Sequence, residues 1–192
     1  MKPLFCMVGK SASGKTTIAD ILEKSGKYRQ TQSYTTRSPR YENEIGHVFV
    51  TNEEFDKLEN IVAYTEYNGF RYAATAEQIN SVDIYVVDVP GVETLLDKYH
   101  SKRPIVVFYF DTSVRTRIDR MIDRHDSDMA IISRLYNDEE FDWEDRLNKL
   151  IWHHKNNLNR DVTLHIINAN LDVANVLAQV TNYITLEESS SI

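Results

Sequence analysis

Apolar positions along the chain fall into two patterns, short continuous runs and helically spaced stripes. PLFCMV, near the start, is a run of the buried-strand type. Helical spacing follows at Ile18, Ile21 and Leu22, and Gly26 supplies a stop. A polar stretch rich in Arg and Thr runs from 31 to 46, and HVFV then predicts a short strand. TNEEFDKLE predicts a helix opened by a capping box, Thr51 facing Glu54. IVAYTEY and FRYA predict two strands joined by Asn68-Gly69, residues that tolerate positive φ and mark a tight hairpin. TAEQIN starts another helix. DIYVVD, PIVVFYFD and TLHIIN are further apolar strands. ETLLDKYH, the charge-dense stretch from 112 to 158 and LDVANVLAQVTNYI predict helices. The polar tail TLEESSSI is expected to fray.

Buried strands alternating with helices predict an α/β domain around a mostly parallel sheet. The hairpin region, 33–81, breaks that alternation and reads as a small mixed α+β insertion beside the main sheet.

Composition narrows the function classes. The chain has 192 residues, enough for one domain with small attachments, and a formal net charge of −7. That charge argues against nucleic-acid polymers as partners, which need a basic face, so anion binding must come from local clusters. The single cysteine, Cys6, excludes an internal disulfide, and its apolar neighbours make it a core filler. The N-terminus lacks signal-peptide character, and no apolar run approaches the ~18 residues of a membrane span. The expectation is a soluble cytoplasmic protein without membrane contact, a monomer or homodimer.

The strongest chemical signal is Gly9-Lys10-Ser11-Ala12-Ser13-Gly14-Lys15-Thr16, which matches G-x-x-x-x-G-K-[ST] without departure. Glycines permit a turn whose N–H groups converge on one anion, and the following helix adds its positive end. Gly9, Ser11, Ala12, Ser13, Gly14, Lys15, Thr16 and Thr17 are therefore expected to hold a nucleoside triphosphate. Lys15 would reach the outer phosphates and the Thr16 hydroxyl would ligate Mg²⁺. Asp88 ends a buried strand. It reads either as a group that organises Mg²⁺ or faces a second substrate, or as a helix N-cap. Arg37 and Arg40 flank Pro39 in a Ser/Thr-rich turn and read either as a monophosphate clamp or as solvated arginines.

Ser33-Tyr34-Thr35-Thr36-Arg37-Ser38-Pro39-Arg40, followed by a glycine and a short strand, resembles the guanylate kinase family. The resemblance continues through TNEEFDKLENIVAYTEYNGFRYAAT, VVDVPGV, TSVRTRIDRMIDR and ISRL to IINAN, in family order. It implies a three-layer P-loop fold with core segments 1–32, 82–118 and 160–192. It also implies a monophosphate-binding insertion at 33–81 and a helical lid with extension at 119–159. The implied reaction is transfer of the ATP γ-phosphoryl, with Mg²⁺, to (d)GMP. A related kinase with another acceptor base, or a non-catalytic protein-binding module, are the other readings.

Residue by residue, the resemblance implies that Ser33 touches the acceptor base while Arg37, Arg40 and Tyr72 hold the monophosphate. Glu44 and Asp88 would complete that side, and Asn168 would lie against adenine. Arg120, Arg124 and Arg134 would be lid arginines acting with Lys15 in catalysis. The chain departs from the family pattern at Ala63, where a guanine-reading glutamate is expected, and at Ala74, where a hydroxyl is expected. Glu66 is an odd number of residues from Ala63 and would face the other side of a regular strand. His47 replaces a tyrosine-like phosphate ligand, and His125 replaces a lid glycine. The stretch 137–159 is longer than usual, with an apolar stripe of Phe141, Leu147, Leu150, Ile151 and Leu158 suited to packing. His153 and His154 are adjacent and do not share a helix face.

Overall fold

The computed structural model describes residues 1–39, 42–139 and 143–190. Arg40 and Phe141 lie outside the described residues. The main sheet contains β1 (Leu4–Val8), β6 (Ile84–Val86), β7 (Ile105–Asp111) and β8 (Val162–Asn168), all parallel, in the order β6-β1-β7-β8. Every residue of β1 is fully buried, as a central parallel strand requires. Its side chains alternate between two cores. Leu4, Cys6 and Val8 face one layer, built from α4 (Val89–Lys98) and α7 (Trp143–Asn157). Phe5 and Met7 face the other, built from α1 (Lys15–Lys24) and α8 (Val173–Ser190). The result is three layers, with Cys6 inert in the centre and its thiol pushed up to about 12 by burial.

The second sheet is mixed. It contains β2 (Ser33–Thr35), β3 (His47–Phe49), β4 (Ile61–Tyr67) and β5 (Phe70–Thr75), in the order β3-β2-β5-β4. Asn68 and Gly69 both take positive φ, 53° and 75°, and turn β4 into β5. Thr51 caps α2 (Asn52–Phe55) with the expected box, and Thr75 and Gln78 build a second box at α3 (Ala76–Ser81). Two further helices, α5 (Val114–Asp123) and α6 (Asp128–Glu139), precede α7. Helix α2 is only four residues long, shorter than its sequence pattern predicts.

The tail is corrected by the structure. Helix α8 continues to Ser190 instead of fraying after the apolar stripe. Glu187 accepts from or pairs with His165 Nε2 on β8 at 2.6 Å, and Glu188 lies 3.8 Å from Lys2 Nζ. These contacts tie the polar tail to the sheet, which composition alone does not reveal. Helix α7 is likewise fastened to α4 by the Arg146–Glu93 pair and by buried His154, whose Nε2 is 3.3 Å from Asp97.

Arg103 joins the two parts of the chain. Its guanidinium donates to the carbonyl oxygens of Lys2 (2.9 Å), Pro3 (3.0 Å), Ile79 (2.8 Å) and Val82 (2.7 Å). These carbonyls precede β1 and lie at the end of α3, so one side chain ties α3 to the start of the main sheet. Arg103→Met leaves them without a charged donor in a buried setting. The expected loss of stability is about 3 kcal/mol, read from urea unfolding. A loss below about 1 kcal/mol contradicts this role.

Candidate functional site

The motif loop leaves β1 at Val8 and turns into α1. Gly14 sits at φ 96°, where a Cβ would be strained, immediately before the first helical residue. No side chain caps α1, so its first N–H groups stay available to an anion. Lys15 curls back over the loop and donates from Nζ to the carbonyls of Gly9 (2.7 Å) and Lys10 (2.8 Å) and toward Ser13 Oγ (3.3 Å). Burial lowers its pKa to about 8. Asp138 and Asp88 pull the other way, and Arg117 adds to the lowering. Thr16 and Thr17 are exposed on the first turn of α1.

Beside this turn lies a cavity of about 330 Å³, lined by Ala12 to Ile18 on one side and by Arg120, Arg124, Val173 and Val176 on the other. Its size suits a nucleoside with its phosphates. Asn168 is exposed at the end of β8 and outside this lining. Its Oδ1 accepts from the Asn170 backbone at 3.2 Å, and its own N–H donates to Gln179 at 3.1 Å.

The three arginines expected of a lid have distinct partners. Arg120 donates to the Ala12 and Ser13 carbonyls (3.3 and 3.2 Å) and to Ala169 O (2.8 Å), which fastens α5 to the motif loop. Arg124 and Arg134 both converge on Asp126, Arg134 at 3.7 Å. Two residues that sequence reading missed lie closer to the loop. Arg117 is fully buried and donates to Ser11 O at 2.9 Å and to Asp138 Oδ2 at 2.6 Å. Asp138 accepts from the Ser11 backbone N–H at 2.8 Å. The available signals were that Arg117 precedes Arg120 by one helical turn and Asp138 follows Arg134 by one.

One face of the mixed sheet gathers the second set of candidate residues. Pairings Ser33↔His47, Thr35↔Phe49, Thr35↔Tyr72, Thr65↔Tyr72 and Ala63↔Ala74 put these side chains on one side. Ser33 Oγ lies 3.0 Å from His47 Nδ1, and the His47 and Tyr72 rings meet edge to face at 5.7 Å. Arg37 is buried beside them and makes a bidentate pair with Glu44, at 2.9 and 3.1 Å. Burial opposes the Arg37 charge, but bonds and charge from Glu44 and Tyr72 outweigh it and raise the pKa. Arg37 also lies over the Phe49 ring, 5.3 Å from its centre.

The two sets are linked through β4. Thr65 Oγ1 donates to Asp88 Oδ2 at 2.8 Å, and the Tyr67 hydroxyl lies 3.4 Å from Ser11 Oγ. Asp88 is also the N-cap of α4, its Oδ1 accepting from Gly91 N–H at 2.9 Å. Burial raises its pKa against the pull of Gly91, Thr65 and Lys15. Ala63 and Ala74 are fully buried in the core formed with α4. Glu66 is exposed on the opposite face, paired with Tyr64.

No protein-family model matches the chain. A guanylate kinase of Bartonella henselae is 27% identical over 141 residues, covering 68% of this chain and 63% of the relative, less than two thirds of its length. Among solved structures, the guanylate kinase of Anaplasma phagocytophilum superposes with a TM-score of 0.58 at 13% identity, covering 97% of this chain and 86% of that one. A deoxyadenosine kinase from M. mycoides with bound dATP gives a TM-score of 0.48 at 16% identity, covering 96% of this chain and 100% of that one. With its parallel sheet, motif loop and flanking helices, the chain has the α/β P-loop fold of a solved guanylate kinase, and its sequence resembles the guanylate kinase family.

Proposed function

We propose that the chain is an ATP-dependent nucleoside monophosphate kinase that transfers the γ-phosphoryl of ATP to (d)GMP. The observation that carries this reading is two anion-directed sets joined through β4, whose Thr65 meets Asp88 and whose Tyr67 meets Ser11. The motif loop with Lys15 and an uncapped helix end is one set. Arg37, braced by Glu44 and Tyr72, is the other. Hydrolysis would need only the first set; the second supplies a place for an acceptor phosphate. A monophosphate oxygen is already an anionic nucleophile, so no general base is required. Catalysis then rests on alignment and on cations facing the phosphoryl in transit, the proposed work of Lys15, Arg120, Arg124 and Arg134.

Mg²⁺ fits this donor set. Thr16 offers a hydroxyl and Asp88 a carboxylate, both hard oxygen ligands, and Mg²⁺ in such sites keeps water and phosphate oxygens as its other ligands. Among the described residues no group of three His, Cys, Asp or Glu gathers to hold a metal without nucleotide. Bound there, Mg²⁺ would neutralise charge on the outer phosphates.

Base selectivity is expected to be modest. Ala63 and Ala74 present no hydrogen-bonding side chain to a purine, and both are packed in the core. This favours, as a second reading, an acceptor with another base. Following ADP release with the eight common (d)NMPs tests both. The expected result is highest turnover with GMP or dGMP, with adenine nucleotides within about a hundredfold. Equal or better turnover of an adenine or pyrimidine nucleotide moves the assignment to that acceptor. No transfer to any of them contradicts kinase activity.

The low pKa of Lys15 predicts a pH dependence. In the free protein Lys15 loses its proton above about pH 8, whereas phosphates favour the charged form and hold it. Triphosphate binding therefore takes up a proton at alkaline pH. Affinity should be flat below about pH 8 and fall by up to about tenfold per unit above it. The sign for folding is opposite. A lysine whose folded pKa lies below the ordinary 10.5 makes the nucleotide-free fold more stable as pH rises from about 8 to 10.5. Calorimetric titrations from pH 7 to 9.5 check the first trend; affinity independent of pH rules it out.

A further inference from the structure

The extra helical segment puts a carboxylate on the motif loop. Asp138, on α6, is 5% exposed and its Oδ2 accepts from Ser11 N–H at 2.8 Å. The same oxygen accepts from Arg117 at 2.6 Å, and Arg117 Nε donates to Ser11 O at 2.9 Å. The three groups close a ring around the backbone of Ser11, holding its N–H and its carbonyl. An anionic oxygen held by a loop N–H and a guanidinium has the ligand set that a phosphate oxygen takes.

Position within the loop decides which phosphate is concerned. The α1 end of the loop, Ser13 to Thr16, opens into the large cavity, which Asp138 does not line. The Ser11 end lies beside β4, with Tyr67 at 3.4 Å. Asp138 there lines a small space of about 40 Å³ with Gly9, Tyr67, Asp88 and Trp143. Trp143 Nε1 donates to the Asp138 carbonyl at 2.9 Å.

We propose that Asp138 is a positioning residue that stands in for the donor's terminal phosphate at Ser11, so that a nucleoside diphosphate binds with the contact intact while a triphosphate must displace it. Displacement hands the Ser11 N–H and Arg117 to the terminal phosphate and moves Trp143 with the Asp138 backbone. The contact holds the loop in a bound-like shape and, after transfer, returns to the position that the phosphoryl has left. This rests on the donor-site reading above.

The test compares ADP with a non-hydrolysable β,γ-methylene analogue of ATP by calorimetry. Asp138→Asn keeps an acceptor of the same shape but removes the competing charge. It is expected to tighten the analogue about tenfold while changing ADP less than about twofold. A second measurement keeps Asp138 in place. Trp152 is exposed, so Trp152→Phe leaves Trp143 as the sole indole reporter. The analogue should shift Trp143 emission and ADP should not. Binding of both nucleotides with an unchanged preference in Asp138→Asn, or equal Trp143 responses to both, overturns the inference alone. Failure of both nucleotides to bind the unaltered protein overturns the donor-site reading and the inference with it.

Discussion

A buried ammonium set beside the uncapped N-terminus of a helix demands negative charge. Around that demand the rest of this chain is arranged. Lys15 is held by its own loop's carbonyls, and its pKa falls to about 8 because burial outweighs the nearby carboxylates. Arg117 and Arg120 bind the loop's carbonyls at Ser11, Ala12 and Ser13, which fixes its course. Asp138 meets part of the demand from inside the protein. A nucleotide phosphate would meet the remainder far better, since it brings more charge and more acceptor oxygens.

The sheets give this local chemistry a direction. The central, wholly buried β1 delivers the loop at its carboxyl end, where open α/β sheets bind their ligands. The mixed sheet stands across from it, tied through Thr65 to Asp88 and through Tyr67 to Ser11. One face of that sheet carries Arg37's neighbours Tyr72, His47 and Ser33. On this face, departures from the family pattern fall at Ala63 and Ala74 and also at His47. Ala63 and Ala74 serve the core, while Arg37 and Glu44 keep their charges paired.

Much of this was legible in the sequence. The four apolar runs are the four parallel strands, and the central pair β1 and β7 are buried on both faces and so need no alternation. Asn68-Gly69 and the Thr51 box identified local structure through backbone chemistry that tertiary contacts do not alter. The motif loop was legible for the same reason. What escaped notice depends on distant partners. Arg117 sits among lid-helix residues of the same type, and only its burial against Asp138, 21 residues away, separates it from the solvated arginines. Burial of both Val62 and Ala63 follows from a register shift in β4, which breaks the expected alternation. The polar tail stays helical through His165 and Lys2, far off in sequence.

The two phosphate-directed sets are proposed to serve a single two-substrate site. A guanosine–adenosine pentaphosphate, which joins donor and acceptor through one phosphate chain, probes that arrangement. One molecule is expected to bind per chain, at least about tenfold more tightly than ATP, and to be displaced by ATP alone and by GMP alone. Binding no tighter than ATP, or displacement by ATP but not by GMP, would contradict a two-substrate site.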